Sequence, residues 1–168
     1  MRFWIPGARL HTLSELVLLL LVSQMENSRP LRIFHIDDSE DDALVLTRVL
    51  RQCPHPIDLK WFPSAPEAME YLERAAENEL PDLILCDLRM PAMTGHEFIR
   101  WLRQSRFKSV TIIVLSSSDL MEDIREAYAL GANSFLIKPL ASSEILTMMN
   151  SAVDYWRKCQ QAEQGAAI

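Results

Sequence analysis

Glycine is scarce in this chain, with 4 in 168 residues where about 7 % is usual. Gly7, Gly95, Gly131 and Gly165 are scattered, and neither the dinucleotide-binding nor the P-loop glycine pattern occurs. A phosphate cradle built from backbone N–H groups is thereby excluded, and any phosphate chemistry falls to side chains. Cysteine is equally thin: Cys53, Cys86 and Cys159 lie far apart without CxxC spacing, which argues against a disulfide framework or a zinc site and for a reducing, cytoplasmic setting. Positive charge is in deficit, 17 Lys+Arg against 23 Asp+Glu for a net −6. That balance opposes binding to nucleic acid or anionic lipid.

Long hydrophobic runs are absent too. Leu16–Val22 is apolar but far shorter than the ~20 residues that span a bilayer. Arg2 and Arg9 precede it as in a signal peptide, yet Glu15 flanks it and Val22-Ser23-Gln24 makes a poor cleavage site. Residues 1–30 therefore read as a leader or non-native extension, with Met25 as the natural start. What remains, at 49 % hydrophobic residues, has the size of one globular domain.

From Leu31 the pattern alternates between strand and helix. Residues 31–36 read as β1 and end in Asp37-Asp38, after which Ser39 opens α1, with Asp42 three residues on in capping-box spacing. Cys53-Pro54 stops that helix. Ile57, Leu59 and Trp61 alternate as β2, and α2 is predicted from Ser64 to about Asn78. Residues 82–87 form β3, and α3 runs from about Thr94 to Ser105. The β-branched run 110–115 is β4, a strand covered on both faces. Asp119 with Glu122 is expected to cap α4, which Gly131 closes. Residues 133–137 make β5, and α5 starts near Ser142 with Ile145, Met149, Ala152, Trp156 and Cys159 on one side. Five β–α units with short links predict an α/β fold, a parallel sheet with helices on both faces, whose ligands bind at the carboxyl ends of the strands.

Those ends hold Asp37 and Asp38 after β1, Asp87 after β3, Ser116 after β4 and Lys138 after β5. Crowded carboxylates repel one another unless a cation shares the site, and all-oxygen ligation suits Mg²⁺. Lys138 and Ser116 supply donors for the oxygens of an incoming anion, as phosphoryl transfer requires. Each feature alone is common: Asp-Asp after a strand is usually a turn or cap, Lys-Pro a strand-end turn, and Ser116-Ser117-Ser118 a polar loop. Together, at four strand ends, with Asp87 followed by Leu88-Arg89-Met90-Pro91-Ala92-Met93-Thr94-Gly95, they are highly specific.

At this point residues 31–157 resemble the receiver domain of response regulators in two-component phosphorelays. The resemblance implies a flavodoxin-like, doubly wound sheet of strand order 2-1-3-4-5, and a tail from residue 158. By it, Asp87 is the phospho-acceptor that takes a phosphoryl group from a histidine kinase. Asp37, Asp38 and Asp87, with the backbone carbonyl of Arg89, are the Mg²⁺ ligands. Ser116 and Lys138 contact the phosphoryl group, Phe135 is the aromatic switch residue, Pro139 is a cis-proline, and Arg89 and Ser118 tune phosphate lifetime. Gly131-Ala132-Asn133-Ser134-Phe135 and Tyr155-Trp156 look most like stand-alone receivers paired with phytochrome-type kinases. Such a chain is not an enzyme. It signals by protein contact through the α4–β5–α5 face to a downstream or phosphotransfer protein, with homodimerisation on the same face. Met121, Arg125, Tyr128 and Tyr155 are the exposed candidates there.

The rival chemistries lack residues. A phosphatase with an aspartyl nucleophile needs an acid two residues after it, where this chain has Arg89. A Ser-His-Asp hydrolase needs a nucleophile elbow, and no motif places His11, His35, His55 or His96. An interaction module independent of phosphorylation would not need the complete set of five site residues. His35 stands where most receivers have an apolar strand residue, and reads as a core histidine satisfied by its neighbours. Arg100, Arg103, Arg106 and Lys108 form a basic run on and after α3, read as a solvated face or partner contact rather than a groove reader.

Overall fold

The computed structural model describes residues 29–166. The leader, the apolar run 16–22 and the proposed start at Met25 lie outside the described residues. Five strands, β1 (Leu31–Ile36), β2 (Ile57–Phe62), β3 (Leu83–Cys86), β4 (Thr111–Ser116) and β5 (Ser134–Ile137), alternate with α1 (Glu40–Leu50), α2 (Ala65–Arg74), α3 (Gly95–Gln104), α4 (Met121–Ala129) and α5 (Ser142–Ala166). All strand pairs are parallel, in the order β2-β1-β3-β4-β5. Among the described residues no helix is long and apolar enough to cross a membrane.

Strand alternation sorts the core into two layers. Leu31, Ile33, Leu83, Leu85, Ile113 and Leu115 pack with Leu46, Val49 and Leu50 of α1 and Met149 and Val153 of α5. Phe34, Ile36, Ile84, Cys86, Ile112 and Val114 pack with Leu72 of α2, Phe98, Ile99 and Leu102 of α3 and Ala127 of α4. Burial of each such aliphatic side chain is worth about 1.5–3 kcal/mol. Both faces of the central strands are thus apolar, which explains why β3 and β4 read as unbroken hydrophobic runs.

Helix boundaries show where local signals yield to tertiary ones. Ser39 Oγ accepts the Asp42 N–H at 3.2 Å, but the Asp42 carboxylate does not return to Ser39 as a capping box requires. It bonds Lys138 instead, and the Ser39 N–H donates to Asp37 Oδ1. Helix α2 ends at Arg74, short of the expected Asn78, and a 3₁₀ turn covers Glu77–Glu79. Arg32 Nη1 donates to the Asn78 carbonyl, drawing that segment back toward β1. The expected Asp119–Glu122 cap is not formed: Leu120 is the N-cap of α4 and no side chain caps it. The Ser118 hydroxyl approaches the Leu120 N–H at 3.4 Å and donates to Asp123 in the first turn. Gly131, at φ 100°, closes α4 as expected, in the left-handed region that favours glycine.

Candidate phosphorylation site

The sheet ladder runs into the site. The Asp37 N–H donates to the Phe62 carbonyl at 3.1 Å and the Asp87 N–H to the Ile36 carbonyl at 2.9 Å, one step beyond β1 and β3. The Lys138 N–H donates to the Ser116 carbonyl at 2.8 Å. Asp37, Asp87, Ser116 and Lys138 therefore stand side by side at the carboxyl edge because their backbones continue the ladder. Carboxylate oxygens of Asp37, Asp38 and Asp87 all lie within 4.8 Å of one another. Asp37, Asp87 and Ser116 are buried, while Asp38 is exposed.

The loop after β3 is shaped by a close backbone approach. The Gly95 N–H donates to the Leu88 carbonyl at 3.0 Å, and a Cβ at Gly95 would stand 2.2 Å from the Asp87 carbonyl oxygen. Only glycine lets α3 begin so near the acceptor. Thr94 caps that helix reciprocally: Glu97 accepts the Thr94 N–H at 2.8 Å while Thr94 Oγ1 accepts the Glu97 N–H. Within the loop Ala92 takes φ 66°. The Asp87 carboxylate is oriented by the Leu88 N–H, which donates to Oδ1 at 2.8 Å.

Lys138 is the counter-charge. Its Nζ lies 2.6 Å from Asp37 Oδ2, 2.8 Å from Asp42 Oδ2 and 3.9 Å from Asp87 Oδ2. Burial works against the charged ammonium, but the bonds to Asp37 and Asp42 and the charges of Asp37 and Asp87 override it and raise its pKa. For Asp37, burial pushes the pKa up. Hydrogen bonds from His35 and Lys138, the Lys138 charge and the Ser39 N–H outweigh it and hold the carboxyl at about 2. Asp37 is thus an anion at any physiological pH, as a metal ligand must be. Cys86 is buried behind the acceptor, and burial together with the negative charges of Asp87 and Asp37 raises its pKa. It stays a thiol and is no nucleophile.

At the rim, Arg89 and Ser118 meet through a third residue. Arg89 Nη2 lies 3.2 Å from Asp123 Oδ2 and 3.5 Å from Ser118 Oγ, and the Ser118 hydroxyl donates to Asp123 at 2.5 Å. The Ser118 N–H approaches Ser116 Oγ at 3.4 Å, so the loop after β4 is tied to the hydroxyl at the strand end. Phe135 is half-buried against the α2–α4 layer. Met121, Arg125, Tyr128 and Tyr155 are exposed as expected, joined by Leu120, Ile137 and Leu140.

Several expectations need correction. The Lys138–Pro139 peptide is trans, since no described peptide bond is cis, in line with the intrinsic trans preference of about 0.5–1 kcal/mol. His35 is buried with Nε2 3.4 Å from Asp37 Oδ2, but its Nδ1 has no hydrogen-bond partner. It is a second donor to the site carboxylate, not a fully satisfied core residue. The basic run is not a free face either. Arg103 bonds four acceptors, Arg106 lies over the Phe107 ring, and Arg100 approaches Glu126. Asp42 and Asp123 were not singled out from the sequence as site residues. Their signal was weak: Asp42 lies one helical turn after Asp38, and Asp123 is an acid in the first turn of α4, both ordinary helix-start positions.

Comparison with known proteins agrees with this geometry. The profile described as "Response regulator receiver domain" matches residues 33–150. The chain is 28 % identical over 135 residues to the probable methanogenesis regulatory protein FilR2 of Methanothrix harundinacea, covering 79 % of this chain and 87 % of that one. It is 27 % identical over 135 residues to response regulator Rcp1 of Synechocystis sp., covering 78 % and 92 %. The Mn²⁺-bound structure of Rcp1 superposes with TM-score 0.67 over 76 % of this chain and 94 % of that one. The phosphorylated cyanobacterial phytochrome response regulator RcpA superposes with TM-score 0.69 at 26 % identity, over 76 % and 94 %. With the match to the family profile, and with strand order and strand-end residues in agreement, the chain belongs to the response regulator receiver family of two-component systems.

Proposed function

We propose that this protein accepts a phosphoryl group on Asp87 from a sensor histidine kinase and passes the signal on by protein contact. The observation that carries the reading is the meeting of three carboxylates within 4.8 Å with a lysine ammonium 3.9 Å from the acceptor. Asp87 Oδ1 is held by the Leu88 N–H, so the carboxylate is oriented before a donor arrives. In the transfer, a carboxylate oxygen of Asp87 forms a bond to phosphorus as the phosphorus–nitrogen bond of the kinase phosphohistidine breaks, and the electron pair leaves on the imidazole. Lys138 and the Ser116 hydroxyl neutralise phosphoryl oxygens. The donor set fits a hard divalent cation: Asp37, Asp38, Asp87 and the Arg89 carbonyl would hold Mg²⁺, which when bound supplies charge neutralisation of the phosphoryl oxygens.

The acyl phosphate then changes the balance at the strand ends. Ser116 is drawn to a phosphoryl oxygen, Phe135 turns into the space released, and the α4–β5–α5 face is altered. The exposed apolar side chains on that face fit a protein partner, whether a downstream or phosphotransfer protein or a second copy. Arg89 and Ser118 guard the approach of water and so set phosphate lifetime. The same reading takes residues 31–157 as the receiver, 1–30 as a leader and 158–168 as helix end and tail. Likeness to the phytochrome response regulator RcpA supports a phytochrome-type kinase as donor, and a cytoplasmic location follows from such a partner. Phospho-acceptance, not turnover, is the activity.

Intact mass after incubation with acetyl phosphate and Mg²⁺ tests it. A one-phosphoryl increment is expected on the wild type and none on Asp87→Asn. An equal increment on Asp87→Asn, or none on the wild type, overturns the reading.

A further inference from the structure

A lysine ammonium has three N–H donors. Lys138 commits two of them, to Asp37 Oδ2 at 2.6 Å and Asp42 Oδ2 at 2.8 Å, while Asp87 Oδ2 at 3.9 Å is beyond hydrogen-bond range. The two anchors come from different elements, Asp37 from the end of β1 and Asp42 from the first turn of α1. One anchor would leave a four-carbon side chain free to swing about it. Two acceptors fix the ammonium and leave the third donor for an oxygen placed beyond the Asp87 carboxylate. Asp42 is not one of the three carboxylates that converge for a metal, and its carboxylate makes no capping bond to Ser39. Its hydrogen-bond partner is Lys138.

We propose that Asp42 is a positioning residue for phosphoryl transfer: with Asp37 it holds the Lys138 ammonium so that its remaining N–H meets the phosphoryl group on Asp87. This rests on the reading of Asp87 as acceptor. A carboxylate here also has an opposite effect, because its negative charge repels an anionic donor. Loss of repulsion alone would make the Asp42→Ala variant faster. Loss of positioning makes it slower, so the sign of the change separates the two.

Phosphorylation by acetyl phosphate is measured at saturating donor and Mg²⁺ in the wild type, Asp42→Ala, Asp42→Glu, Lys138→Met and the double variant Asp42→Ala/Lys138→Met. Asp42→Ala is expected to be roughly tenfold slower at an unchanged half-saturating donor concentration. Asp42→Glu, which restores the carboxylate, recovers most of the rate. In the Lys138→Met background the Asp42→Ala change has no further effect, because its action runs through Lys138. A merely structural role at the start of α1 would slow both backgrounds alike. An independent readout needs neither donor nor metal. The Lys138 ammonium signal in nitrogen NMR, assigned by its loss in Lys138→Arg, is protected from solvent exchange in the wild type and broadened in Asp42→Ala. An Asp42→Ala rate equal to or above wild type, an equal slowing without Lys138, or an unbroadened ammonium signal overturns the inference. A wild type that takes no phosphoryl group while the NMR signal behaves as expected overturns the acceptor reading instead.

Discussion

Two partly buried cations sit at opposite ends of the same sheet and do different things. Arg103, on α3, lies at the amino-terminal edge of β4 and β5, where it donates to the carbonyls of Gly131 at 2.8 Å, Lys108 at 2.7 Å and Val110 at 2.9 Å and to Asn133 Oδ1 at 2.7 Å. Asn133 Oδ1 also accepts the Ile112 N–H, so one guanidinium ties α3 to the loops that start two strands. Lys138, at the carboxyl edge, faces carboxylates only, and the third of them is out of hydrogen-bond reach. The partners make the difference. Backbone carbonyls neither titrate nor leave, so a cation satisfied by them is a rivet. Carboxylates titrate and bind metals and phosphoryl groups, so a cation among them is a device whose bonds can be exchanged.

Removing each cation should expose that contrast. Arg103→Met leaves several buried acceptors without donors and is expected to lower unfolding free energy by about 3 kcal/mol. Urea denaturation should show this loss unchanged across acidic and neutral pH, because no partner titrates, while phosphorylation of the folded fraction stays at wild-type rate. Lys138→Met should cost less, about 2 kcal/mol at neutral pH, and its cost should depend on pH. Asp37 titrates at about 2 in the folded protein against about 3.9 in an unfolded chain. Its contribution is therefore present above about pH 4 and is lost as pH falls through about 2. Without Lys138 most of that depression goes, so wild type and variant should converge in stability as acid is added. A pH-independent gap would place Lys138 with Arg103 as a structural element.

The smallest effect is expected at the rim. Arg89 is largely exposed where it meets Asp123, and exposed pairs contribute little. Arg89→Ala should change stability by less than about 0.5 kcal/mol yet alter the decay of the aspartyl phosphate, followed by intact mass after donor removal. A large stability loss with unchanged decay would make the Arg89–Ser118–Asp123 cluster a rivet as well.

Much of this was legible in the chain itself. The strand-helix alternation, the β-branched run of β4 and the carboxylates at strand ends follow from local pattern, and the structure bears out the parallel sheet and its order. Helix ends were less legible. The Ser39–Asp42 box and the Asp119–Glu122 cap are sound local readings that fail because Lys138 and Ser118 offer the acidic side chains better partners. Arg103 shows the same limit from the other side: four charges in a short stretch look like a surface, and only packing reveals that one of them is anchored in backbone carbonyls.

The sequence by itself determined the kind of fold and the chemistry within its reach. Periodicity sets which residues face the core, and the scarcity of glycine confined phosphate handling to side chains. Tertiary structure decided which ionisable groups meet. Asp42 and Lys138 are separated by 96 positions, and nothing in local pattern distinguishes an acid that caps a helix from one that holds a lysine. That choice is made by the distance across the sheet's edge, which exists only once β1 and β5 are in their places.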